Sequence, residues 1–445
     1  MTMTSIRNRS RLTRREFLKA GAMTAAAAGL AGCAKNPVTG QSEFMLVSEE
    51  EEIQLDRQAS PQQLSNDYGT TQDTVLNDYV SGVGKSLSDK SHRPQMPYNY
   101  HVVNANYVNA YAFPGGTIAC TRGILLEVDN EAEMAALLGH EIGHVNARHT
   151  ASRMSSQMVV GGLTSLGGAA IGAKYGGTWG AVAGSLGGLG AGLLLASYSR
   201  DDERQADALG LEYMTRAEYN PDGMVGLMEM LNEQHDREPS ALEVMFATHP
   251  MSAERLSTAR QEASKKYYGA RQYAFYRERY MDHTVDLRKI GPAIRDLQDA
   301  EKLGGEKKYT RAEEKAGAAL KVAPEDYTGL LLMSKLLIAQ EKYNEALVYA
   351  RHAREVYPEE AQANQVAGLL LIQAKEYDQA HEAFAAYDKA LPGNPYAAFY
   401  MGYAREGMGH RDEAAEDYYK FLQQVNQGKQ AQHAYNRLVE WGYVR

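Results

Sequence analysis

Apolar residues recur at helical spacing along most of this chain, and one stretch of β-favouring residues interrupts them. Met134, Leu138, Ile142 and Val145 fall on one face of a helix, with Asn130 placed to cap it and Glu133 three residues on as a capping-box partner. The same period predicts an amphipathic helix over residues 74–87, a shorter one over 48–57, and another over 224–234 after the turn Asn220-Pro-Asp-Gly223. A further helix starts after Thr248-His-Pro-Met-Ser252. Between these, residues 98–104 and 110–113 are rich in tyrosine, valine and alternating polar positions, Pro114-Gly-Gly116 makes a turn, and 117–121 returns. The pattern predicts a mainly α fold with a small β-sheet.

Beyond a tyrosine- and arginine-rich helical linker at 265–287 the period changes. Pro324, Pro358 and Pro392 are spaced by 34 residues; so are Ala312, Ala346, Ala380 and Ala414, and Tyr309, Tyr343 and Tyr377, with Arg411 breaking the last series. A 34-residue helix-turn-helix unit with small residues where helices meet and proline at its close resembles the tetratricopeptide repeat, so residues 291–445 are expected to stack as about four repeats and a final helix near 430–441, an α-solenoid. Such arrays present a surface to peptides or partner proteins.

One segment fits neither pattern. Residues 159–197 contain thirteen glycines and a single charge, Lys174, and glycines 168, 172, 176, 180, 184, 188 and 192 recur every fourth position. As helix this gives a ridge of small residues that permits close backbone approach, but each glycine costs about 1 kcal/mol relative to alanine, so a packing partner or lipid must offset them. The expectation is a helical hairpin packed on the domain or dipping into a bilayer surface, broken at Lys174-Tyr-Gly-Gly177, with true spanning of the bilayer as the alternative.

Charge and the two cysteines change the picture at the N-terminus. Thr13-Arg-Arg-Glu-Phe-Leu-Lys19 resembles a twin-arginine export signal, the alanine-rich run that follows is too short to span a membrane, and Leu30-Ala-Gly-Cys33 resembles a lipobox. Residues 1–32 are therefore expected to be a lipoprotein signal peptide, with Cys33 lipidated and 33–60 a polar tether; Ala34 after it favours the outer over the inner membrane. With Cys33 acylated, Cys120 has no partner for a disulfide. Loss of the leader takes the formal charge from −9 to −14, which argues against nucleic acid as a partner.

The candidate chemistry lies in His140-Glu-Ile-Gly-His144. On a helix, a four-residue step leaves His140 and His144 on one face, converging on a single ion at about 2.0–2.1 Å. Glu141 then sits where a carboxylate takes a proton from water activated by the metal. His149, nine residues from His140, falls on roughly the opposite face of an ideal helix and is expected to be structural or exposed. A third ligand should come from 199–207, where Glu203 and Asp207 are again four apart; spacing alone does not choose among Asp201, Asp202, Glu203 and Asp207.

The run His-Glu-Ile-Gly-His-Val-Asn-Ala-Arg-His, followed by Ser-Arg-x-x-Glu-x-x-Ala-Asp, resembles the M48 family of zinc metallopeptidases, which are gluzincins, over residues 36–265. The resemblance implies a zincin-like peptidase domain over 61–265, joined by a helical linker at 266–290 to the repeats, with one Zn2+ per chain. It implies Glu203 as the third ligand and Asp207 as the carboxylate that orients a ligand. It also implies that an edge strand at Asn109, Ala110, Tyr111, Ala112 and Phe113 holds an extended substrate by β-addition. Asn36-Pro-Val-Thr-Gly40 resembles the start of exported members, and His249 resembles a histidine-proline pair of periplasmic ones, with a transition-state or regulatory role near the metal. The expected function is a zinc-dependent metalloendopeptidase of the periplasm, acting on misfolded or client envelope proteins recruited by its repeats. The rival is a chaperone or assembly adaptor with gated or minor proteolysis.

Overall fold

The computed structural model describes residues 33–161, 197–237 and 243–444. The described residues begin with β1 (Cys33–Lys35) and β2 (Ser42–Phe44), an antiparallel pair. Helices α1 (Glu49–Asn66) and α2 (Thr74–Ser88) follow, then strands β3 (Asn99–Val103), β4 (Ala110–Ala112) and β5 (Thr117–Thr121). The peptidase-like core continues with α3 (Arg122–Glu127), α4 (Glu131–Asn146), α5 (His149–Gly161), α6 (Arg200–Arg216), α7 (Asp222–Arg237), α8 (Glu243–Thr248) and α9 (Ala253–Lys265). Short helices α10 (Arg277–His283) and α11 (Val285–Lys289) lead to the repeats.

The three-stranded sheet has the order β3-β5-β4, with β3 parallel and β4 antiparallel to β5. The β4–β5 hairpin is the one expected from sequence, and β4 is the end strand. Its residues are nonetheless deeply buried, none more than 5% exposed, and so are Asn109 and Phe113 on either side. Helix α4 is buried along its whole length, which is why its sequence is apolar on nearly every face. Asn130 caps it by accepting from Glu133 N, while Glu133 accepts from Asp129 N and from the Asn130 amide, a displaced form of the capping box.

The expected tether at 33–60 is packed against the domain. Met45 and Val47 pack against Ala151 and Met154, and α1 runs past the expected end at 57, through Pro61, because it carries a buried polar face. On that face Glu52 takes Arg93 and Arg148 at 3.0 and 3.1 Å, and Asp56 accepts from Thr117 N and Oγ1 at 2.9 and 2.6 Å. These residues look like a solvated acidic helix in sequence; buried cations elsewhere in the chain convert them into a docking face. The tyrosine-rich linker is likewise part of the core: Tyr280 is fully buried and donates to Leu125 O, and Arg288 reaches Val128 O.

The repeats are four helix pairs: α12 (Gly291–Gly305) with α13 (Tyr309–Val322), α14 (Tyr327–Ala339) with α15 (Tyr343–Val356), α16 (Ala361–Gln373) with α17 (Tyr377–Ala390), and α18 (Pro395–Met408) with α19 (Arg411–Leu422). Helix α20 (Lys429–Glu440) closes the array. Ala312, Ala346, Ala380 and Ala414 are each 0% exposed, where the neighbouring helix crosses. The 34-residue period extends to the backbone: Lys307, Glu341 and Lys375 all adopt φ near +60°, and the next position in the series is Gly409 at +83°. The protein is thus mainly α, a peptidase-like domain followed by repeats of the tetratricopeptide kind.

The two parts are locked together by polar contacts. Arg122 binds Asp326 at 2.5 and 3.1 Å with both side chains buried. Gln298, Thr328 and Gln362, from three successive repeats, donate to the carbonyls of Asn106, Asn104 and Ser65. No helix among the described residues is long and apolar enough to cross a membrane. Residues 162–196 of the glycine-rich segment 159–197, and the leader at 1–32, lie outside the described residues.

Candidate metal centre

Helices α4 and α6 form the centre, and glycine lets them approach. A Cβ at Gly139 would stand 3.1 Å from Gly210 O, and one at Gly143 would stand 3.0 Å from Ala206 O. Gly143, inside the His-Glu-Ile-Gly-His run, is therefore a contact requirement rather than a flexible joint. This crossing brings Glu203 and Asp207 over His140 and His144.

The donor atoms converge. His140 Nε2 and His144 Nε2 are 3.0 Å apart, Glu203 Oε1 is 3.4 Å from His144 Nε2, and Glu203 Oε2 is 3.7 Å from His140 Nε2. Donors on a tetrahedral zinc at about 2.0–2.1 Å would lie about 3.3 Å apart, so this set fits the ion without rearrangement. A fourth donor joins them: His249 Nδ1 is 3.0 Å from Glu203 Oε1 and 3.3 Å from His140 Nε2. The four side chains are all buried and their donor atoms lie within 4.8 Å of one another. Glu141 is 1% exposed and neither carboxylate oxygen has a hydrogen-bond donor, with His249 Nε2 3.8 Å away. A buried carboxylate without a donor beside two imidazoles is what a site for a dication and a proton acceptor requires.

Asp207 Oδ1 is 3.0 Å from His140 Nδ1, which fixes the ring with Nε2 facing the centre. Arg255 in turn holds Asp207 with two bonds, Nε to Oδ2 at 2.6 Å and Nη2 to Oδ1 at 2.7 Å. Its Nη1 pairs with Glu203 Oε2 at 2.6 Å and donates to Pro250 O at 3.0 Å, tying the His249-Pro250 turn to the same cation. Burial raises the Glu141 carboxyl above its ordinary value, and the nearby imidazoles offset this only in part. Burial also raises Glu203, but His249, His144 and His140 outweigh it and hold that carboxylate far below the usual range.

His149 does not lie on the far side. Helix α4 ends at Asn146, Arg148 takes φ +59°, and the chain reverses, so α5 begins with His149 turned back to the centre. It is 5% exposed, and its Nδ1 is 2.8 Å from His144 Nδ1. An ideal helix cannot be continued through the left-handed Arg148, so the far-face placement and the exposed alternative fail while a structural role stands. Arg255 carried no signal at all, since an arginine in a charged helix reads as solvated. Of the expected edge residues, Ala110, Tyr111 and Ala112 form the end strand β4, with Asn109 and Phe113 flanking it, and Cys33 begins β1 opposite Phe44.

Residues 75–263 match the model of peptidase family M48. The chain is 26% identical over 365 residues to the β-barrel assembly-enhancing protease of Yersinia pestis, an alignment covering 77% of this chain and 74% of that one. To the Escherichia coli protein of the same name it is 27% identical, covering 64% and 62%. To the E. coli metalloprotease LoiP it is 30% identical over 213 residues, 47% of this chain and 77% of the relative. Among solved structures, the repeat protein YrrB aligns with 47% of this chain and 99% of its own, at 18% identity and a TM-score of 0.32.

Proposed function

We propose, from the premise that this chain belongs to peptidase family M48 and is a zinc metalloendopeptidase, that it works in the cell envelope, cutting misfolded or client envelope proteins that its repeats recruit. The observation that carries the catalytic reading is the convergence of His140, His144 and Glu203 beside a buried, donorless Glu141. His140, His144 and Glu203 hold the zinc. When bound, the ion supplies a Lewis acid that polarises the scissile carbonyl and acidifies water. Glu141 takes the proton of the attacking water and delivers it to the leaving amine, and its burial raises its affinity for that proton. Asp207 keeps His140 in the ligating orientation. The end strand β4, with Asn109 and Phe113 flanking it, holds the substrate backbone by β-addition, which supports an extended peptide as substrate.

Export by the twin-arginine segment, lipidation at Cys33 and an outer-membrane anchor complete this reading, with 159–197 as a second contact to the bilayer. The name of the Yersinia and Escherichia relatives supports assembly of outer-membrane β-barrels as the process served. One observation favours the gated, adaptor-like variant of the reading: His249 belongs to the same buried donor cluster as His140, His144 and Glu203, so with zinc bound it would take the place that water needs and would have to withdraw before substrate enters. The test is Glu141→Gln. It should retain zinc and abolish cleavage of an unfolded protein substrate while client binding persists; turnover within tenfold of wild type refutes the assignment. If the same variant fully rescues an envelope-assembly defect in cells, the adaptor reading holds instead.

A further inference from the structure

The two ligating imidazoles are supported differently. Behind His140 stands a carboxylate, Asp207, itself clamped by Arg255. Behind His144 stands a second imidazole. His144 Nε2 faces Glu203 and His140, so its lone pair belongs to the ion and its proton must sit on Nδ1. Only 2.8 Å separates that Nδ1 from His149 Nδ1, so His149 must accept there through an unprotonated nitrogen. Its own proton is then on Nε2, and Nε2 lies 2.9 Å from Gln205 Oε1, an atom that only accepts. Every donor in this chain meets an acceptor, and the order runs one way. Asp202, 3.6 Å from His149 Nε2, stands beyond hydrogen-bond reach. Tyr198 stacks on the His144 ring at 3.8 Å between centroids and is held by Thr150, with Arg153 over its other face. The His144 ring is therefore fixed both in plane and in tautomer.

We propose that His149, oriented by Gln205, is a positioning residue that holds His144 in its zinc-binding tautomer, doing for that ligand what Asp207 does for His140. The inference rests on the zinc-peptidase reading and adds to it residues outside the ligand set. It also explains the break at Arg148: the left-handed turn there is what returns His149 to the centre. Because the support is neutral, it fixes the ring without adding a fourth carboxylate to Glu141, Glu203 and Asp207 around a single guanidinium.

The test compares zinc affinity, by competition with a chromophoric chelator, and the visible spectrum of the cobalt-substituted full-length protein. In His149→Leu the acceptor is gone, and affinity should fall about 10–100-fold, the usual cost of removing such a support, with a shifted cobalt spectrum. In His149→Asn the amide oxygen takes the place of Nδ1, and affinity and spectrum should return towards wild type. Gln205→Leu should weaken zinc in the same direction as His149→Leu and decides the matter if the latter fails to fold. Folded His149→Leu that binds zinc as wild type does, His149→Asn as impaired as His149→Leu, or an unchanged Gln205→Leu would each overturn the proposal while leaving the peptidase reading intact. Wild-type protein that binds no stoichiometric zinc would overturn both.

Discussion

Replacing Arg255 by methionine should separate the charge balance of the centre from its packing. The side chain is 7% exposed and, among the described residues, is the only arginine or lysine paired with Glu203 and Asp207. Methionine keeps most of the stem volume but leaves those two carboxylates buried together, with Glu141 nearby. Breaking a buried pair of this kind by removing one partner costs about 3–5 kcal/mol. For a domain of this size, each kcal/mol moves the midpoint by about 2–4 °C, so metal-free Arg255→Met should melt roughly 6–20 °C below metal-free wild type. Zinc brings two positive charges to the same carboxylates, so the loss in the zinc-loaded protein should be visibly smaller. Differential scanning fluorimetry with and without chelator gives all four midpoints. The reasoning is refuted if the metal-free variant melts within roughly 2 °C of wild type, or if the drop is the same with and without zinc. Arg255→Lys, which keeps the charge but not the two-pronged grip on Asp207, should fall between.

Three further outcomes follow from other parts of the molecule. His249→Ala removes the fourth donor and should raise basal cleavage of a quenched-fluorescent peptide several-fold; a loss of tenfold or more would assign His249 to the transition state instead. Lys307, Glu341 and Lys375 occupy left-handed positions that Gly409 fills without strain, so glycine at any one of them should stabilise the repeats by about 0.5–1 kcal/mol in urea unfolding, and a destabilisation would contradict the shared turn. Glu301 sits at the junction of the two parts, bonded by Asn106 and Tyr68, where burial pushes its carboxyl up to about 6. The folded protein therefore holds this proton more tightly than the unfolded chain, so the group's penalty is complete above about pH 7 and is relieved as pH falls through 6 towards 4.5. Glu301→Gln should flatten that part of the stability–pH curve, and an unchanged slope would show that the group does not titrate there.

The local rules in the sequence were enough for α4, for the β4–β5 hairpin and for the repeats, because each is set by near neighbours: a cap, a turn, a 34-residue period. They also placed His140 and His144 together, since a four-residue step on a helix is a fixed geometry. What the sequence hid were partnerships across long separations. Arg255 meets Asp207 only because α9 packs beside α6. His249 reaches a site 109 residues away in the chain. Glu52 and Asp56 read as a solvent face until Arg93, Arg148 and Thr117 close over them. His149 was misplaced by a single residue with positive φ, which an arginine does not advertise. The Arg122–Asp326 pair joining the two parts looked like two unremarkable charges 204 positions apart.

The proposed chemistry requires one ion held by His140, His144 and Glu203. Metal analysis of the purified full-length chain beside Glu203→Ala tests it most directly. One zinc per wild-type chain, and well under one in a folded Glu203→Ala, is the predicted result; wild-type protein free of metal, or a variant that retains a full equivalent, would contradict it.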